Sequence, residues 1–110
     1  MPELESYAFV LLLRGAGTGF SDDDLQRLQQ AHLDHVSAMA SAGKLVAAGP
    51  FREQPDETLR GFCIYACPLE EARALANSDP SVQAGRLAVQ VMNWLTPVGS
   101  VTFHRAEAPR

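Results

Sequence analysis

The sequence predicts a small α+β domain, an antiparallel four-stranded sheet with two helices on one face. Three observations predict it. Short runs rich in branched and aromatic residues recur at 7–13, 44–50, 60–67 and 86–95, each of strand length. Between the first two runs lies a long segment with apolar residues at three- and four-residue steps, the period of a helix. Between the last two lies a shorter helical segment that opens on Pro68 and is broken at Asp79-Pro80. The resulting order, strand-helix-strand-strand-helix-strand, is the split βαβ or ferredoxin-like arrangement. At 110 residues and 46% hydrophobic content the chain supports one core and not two. It is therefore read as a single domain over 1–110, with a core at about 7–97 and a C-terminal extension at 98–110.

Tyr7 to Leu13 is a strand that stops at Gly15-Ala16-Gly17. Ser21 followed by Asp22, Asp23 and Asp24 is a helix start: a hydroxyl cap with carboxylates at the positive end of the helix dipole. Asp24 stands where a capping-box acid would stand, in a shortened form. Leu25, Leu28, His32, Val36, Met39 and Ala40 form one apolar stripe along a helix from Asp22 to about Ala42. Gly43 ends it, as a left-handed residue after a helix usually does. Strands at 44–50 and 60–67 flank a polar loop containing Pro55-Asp56 and read as a hairpin. The second helix runs from Pro68 to about Ser78, with one short turn at Ser81–Ala84. Arg86 to Leu95 is the fourth strand, and Val101-Thr102-Phe103 is a further short pairing segment.

Charge and cysteines exclude several function classes. The net charge is −4 and the nine basic residues are scattered, which disfavours nucleic acid, since phosphate contacts need grouped Lys and Arg. No run approaches the roughly 20 apolar residues that cross a bilayer, and the N-terminus is acidic where a secretory signal would be basic. A cytoplasmic location is expected. Cys63 and Cys67, if both on one strand, are about 13 Å apart at ~3.3 Å per residue, beyond disulfide reach. They read as two small apolar side chains.

The strands imply a partner. Ala8, Val10 and Leu12 lie on one face, Tyr7, Phe9, Leu11 and Leu13 on the other. Phe62 and Ile64 oppose Cys63 and Tyr65 in the same way. A sheet covered by helices on one side shows polar residues on the other if that side meets water, and this one does not. A homodimer packed face to face is expected; the alternative is that the tail Val98–Phe103 covers the face.

Candidate chemistry centres on few residues. His32 falls in the middle of the apolar stripe, either as a satisfied core residue or as a group facing a cavity. His35 lies at the stripe's edge, and the His-x-x-His spacing lacks the further ligands a metal needs; no metal and no cofactor are expected. Asp79 before Pro80 is a turn or cap residue by its local pattern. No phosphate loop and no nucleophile elbow are present. Gly49-Pro50, closing the second strand, and Arg86, opening the fourth, are the candidate substrate contacts; for Arg86 the alternative is a solvated strand-end charge.

Taken together, several motifs carry a resemblance. Ala31-His32-Leu33, Gly43-Lys44-Leu45 through Ala48-Gly49-Pro50, Gly61, Leu69-Glu70-Glu71-Ala72, Asp79-Pro80-Ser81-Val82-Gln83-Ala84-Gly85 and Trp94 follow the order and spacing of the YCII-related (YciI-like) family. The chain resembles that family from Tyr7 to about Leu95. The resemblance implies a ferredoxin-like dimer, a dimeric α+β barrel with a pocket between helix and sheet. It also implies that His32 and Asp79 are the active pair. Ser81 departs from the pattern, where an aromatic is common, and this bears on pocket shape. A resembling protein acts as a dehydrochlorinase, so the expected function is a small-molecule lyase or isomerase working by proton transfer. The alternative is a metabolite-binding or accessory module without turnover.

Overall fold

A computed structural model of the chain describes residues 3–106. The elements are β1 (Leu4–Arg14), α1 (Asp22–Ser41), β2 (Leu45–Pro50), β3 (Leu59–Tyr65), α2 (Leu69–Asn77), α3 (Pro80–Gln83) and β4 (Leu87–Pro97). The strands form one antiparallel sheet in the order β2-β3-β1-β4. This is the ferredoxin-like α+β arrangement the sequence predicts. The short turn after Asp79 is a third helix, α3.

β1 and β4 are longer than their apolar runs. They pair from Leu4↔Pro97 to Arg14↔Leu87, because each strand's backbone groups find their partners on the other along this length, whatever the polarity of Glu5 or Ser6. β3 is shorter than expected. It ends at Tyr65, the Ala66 N–H turns to the Lys44 carbonyl, and Cys67 lies beyond the strand. The premise that both cysteines share a strand is therefore corrected, though both are free thiols. The 101–103 segment forms no strand.

The sheet alternates as the sequence requires. Ala8, Val10, Leu12, Cys63 and Tyr65 are buried on one face, under Ala72 and Ala76 of α2 and Val36 and Met39 of α1. Ser21 caps α1 through a complete capping box with Asp24, and Gly43 takes the left-handed conformation at φ 76°. The opposite face carries Phe9 stacked on Phe62 at 5.5 Å, flanked by Ile64 and by Met92, which is 40% exposed. The tail covers one end of this face: Phe103 sets its edge on Tyr7 at 5.1 Å, and Arg105 Nε donates to the Gly43 carbonyl at 2.5 Å.

Candidate functional site

The site is assembled by the junction of α2, α3 and α1. The helix α2 ends at Asn77, and Pro80 cannot continue it, so Asp79 takes an extended backbone (φ −60°, ψ 126°) and caps α3. Its carboxylate has two tasks. Oδ1 accepts the Ser81 N–H at 2.9 Å, the ordinary duty of a cap. Oδ2 faces α1 and accepts from His32 Nδ1 at 2.5 Å. One side chain thus both caps α3 and partners His32. A second bond fixes the junction: the buried Ser81 hydroxyl donates to the Leu28 carbonyl at 2.9 Å. Leu28 lies one turn before His32, so α3 is pinned to α1 at two successive turns. Ser81 therefore shapes the site from below and does not line the cavity.

Asp79 is 3% exposed. Burial alone would raise its carboxyl. The His32 hydrogen bond, the Ser81 N–H and the charges of His32 and His35 outweigh that and hold it below the ordinary carboxylate value. A carboxylate accepts only, so the proton between the two residues sits on Nδ1. That leaves Nε2 as the ring nitrogen available to the space beyond.

That space is a cavity of about 530 Å³ between α1 and the sheet, with His32, Gly49, Pro50 and Arg86 in its wall. The structure brings all five expected site residues to one place, with Asp79 behind His32. The apolar wall includes Leu12, Val36, Phe20 and Leu87. Cys63 also lines it, but burial pushes its thiol up to about 12, so it stays protonated and is no nucleophile. Among the described residues no group of three or more His, Cys, Asp or Glu is placed to hold a metal. His35 lies one turn beyond His32, and its Nε2 is shut off from solvent without a hydrogen-bond partner among the described residues.

The position of Arg86 depends on glycines that the sequence shows only as a loop. Gly85 has φ 81°, and its carbonyl accepts the Gly17 N–H at 2.8 Å while the Arg86 carbonyl accepts the Gly15 N–H at 2.7 Å. A Cβ on Gly15 would stand 2.0 Å from the Gly85 oxygen. The approach is closed to any side chain, which ties the start of β4 to the end of β1. Two further cavity residues, Arg14 and Arg60, carry no motif. Antiparallel pairing sets the end of β1 beside the starts of β3 and β4, and only the register brings them to Arg86.

No curated protein matches the chain. Among solved structures it is similar to the 5-chloro-2-hydroxyhydroquinone dehydrochlorinase of Burkholderia phenoliruptrix AC1100, in complex with 2,5-dihydroxybenzoquinone. The TM-score is 0.53 and the identity 21%, over 79% of this chain and 92% of that one. At that identity the likeness speaks for the fold. The YCII-related domain model matches residues 8–95, the span from the first core residue of β1 through most of β4, and the chain belongs to the YCII-related family.

Proposed function

We propose that this protein is a small-molecule enzyme of the lyase or isomerase kind. In this reading His32 takes a proton from a substrate carbon through Nε2. Asp79 holds the imidazole in the Nδ1–H tautomer and stabilises the imidazolium that forms. In an elimination, the C–H electron pair forms the new double bond, a leaving group such as halide departs with its own pair, and the proton stays on His32. In an isomerisation the same proton returns at another carbon. Gly49 and Pro50 support the substrate body. The carrying observation is the 2.5 Å contact between His32 and a buried Asp79, set at the wall of a cavity large enough for a small ring compound. The dehydrochlorination named for the similar solved structure is chemistry of this kind. We also infer that two copies pair through the open sheet face around Phe9, Phe62 and Met92.

The test is a screen of the purified protein against lactones and halogenated or unsaturated carboxylic acids, repeated with His32→Ala. Turnover falling by about 10²- to 10⁴-fold, with an unchanged circular-dichroism spectrum, is the expected result. Binding without turnover anywhere in the panel would instead favour the accessory-module reading. Turnover undiminished in the variant refutes the role of His32.

A further inference from the structure

The chain is acidic, yet the cavity beside His32 is cationic. Arg14, Arg60 and Arg86 all line it, and among the described residues no Asp or Glu does. Three of the nine basic residues of a chain with net charge −4 converge there. Among the described residues Arg60 and Arg86 make no ion pair, and Arg14 makes one, with Glu57 at 3.9 Å, itself 86% exposed, while Asp56 is close enough for the Arg14 charge to help hold its carboxyl below the usual value. A contact of that length and exposure neutralises little. By contrast Arg27, Lys44 and Arg73, all outside the cavity, each hold a carboxylate within 3.6 Å. Arg86 is half-buried, so part of its hydration is lost without a charge inside the chain to offset it. A cleft with one sign of charge and apolar walls concentrates the opposite charge.

We propose that the cavity selects a carboxylate with a flat unsaturated or aromatic body. The guanidinium groups of Arg60 and Arg86 bind the carboxylate, and Arg14 adds to the field. A guanidinium presents two parallel N–H donors that match the two oxygens of a carboxylate. The body lies on Phe20, Leu12 and Leu87, with His32 on the opposite wall. The inference rests on the acid–base reading for its consequence: removal of a proton near the carboxylate puts further negative charge on the substrate, and the guanidinium groups already paired with the carboxylate stabilise that charge as it develops. These arginines are then specificity-determining residues.

Equilibrium binding by titration calorimetry tests this without turnover. The probes are benzoate and trans-cinnamate, their neutral amides benzamide and cinnamamide, and phenyl phosphate. The carboxylates should bind at least about 10-fold more tightly than the amides, and Arg60→Gln and Arg86→Gln should each remove about 10-fold of carboxylate affinity. Amide affinity should not move in either variant, and Arg73→Gln should leave every value unchanged. Arg86→Lys, which keeps the charge but not the fork, should fall between wild type and Arg86→Gln. Equal affinity for acid and amide overturns the proposal, as does full carboxylate affinity in both Gln variants. Tighter binding of phenyl phosphate than benzoate overturns it, and so does the absence of any binding up to about 10 mM, the weak limit of specific recognition. Arginine-dependent carboxylate binding with no turnover sinks the acid–base reading and leaves this one standing. His32-dependent turnover of neutral compounds without carboxylate preference does the reverse.

Discussion

Asp79→Asn tests the site most sharply, because it changes one atom's hydrogen-bonding sense and almost no volume. Two bonds meet at that carboxylate, Ser81 N–H on Oδ1 at 2.9 Å and His32 on Oδ2 at 2.5 Å. Asparagine is a good cap and keeps its oxygen toward the Ser81 N–H. Its amide nitrogen then faces His32 Nδ1, which must accept instead of donate. The neutral ring proton moves to Nε2, and the nitrogen offered to the cavity changes from base to donor. A charge-assisted bond of about 1.5–3 kcal/mol becomes a neutral one of about 0.5–1.5, so stability should fall by roughly 1–2 kcal/mol. For a domain near 100 residues each kcal/mol lowers Tm by about 4–8 °C. Activity should fall much further, by about 10²- to 10⁴-fold. The assay is a long-range proton–nitrogen NMR spectrum of His32, recorded well above the ordinary imidazole range near ~6.5. Wild type should show the Nδ1–H tautomer and the variant Nε2–H. A variant that keeps its proton on Nδ1 would refute the argument that the carboxylate sets the tautomer.

Two further outcomes follow from the same structure. The Asp79 carboxyl lies below its ordinary value in the folded state, so its stabilising effect is present above the unfolded value of about 3.9 and is lost as pH falls through the lower folded one. Urea-unfolding free energies should drop in that acid window, and the drop should be smaller in Asp79→Asn; parallel curves for the two proteins would contradict the linkage. In light scattering at micromolar concentration wild type should have the mass of a dimer and Met92→Glu, which sets a charge on the open face, that of a monomer. A monomeric wild type would count against face-to-face pairing.

Strand and helix identities were legible because each depends on near neighbours in sequence. The stripe from Leu25 to Ala40, the Ser21–Asp24 box and the stop at Gly43 are local patterns, and α1 forms where they place it. The alternation in β1 was equally readable, and Ala8, Val10 and Leu12 are buried as it requires. Strand ends were less so. β1 reaches back to Leu4 and β4 on to Pro97 because each satisfies the other's backbone, a pairing between residues more than 80 positions apart that no local propensity encodes. The 101–103 segment, a pairing segment by its residue types, forms no strand and instead lays Phe103 against Tyr7 and Trp94.

By itself, the sequence determined the order of elements, the family motifs and the two residues that make the site's short contact. His32 stood out because a titratable ring interrupts an apolar stripe; Asp79 is locally a turn or cap residue, and the family resemblance is what pairs it with His32. Tertiary structure alone decided that the cap carboxylate turns its second oxygen to the imidazole, that Ser81 reaches across to Leu28, and that Arg14 and Arg60 join Arg86. These last are strand-end charges, indistinguishable in the sequence from solvated ones. Their convergence is a matter of antiparallel register, which is set by backbone pairing and by two glycines that let β1 and the start of β4 touch.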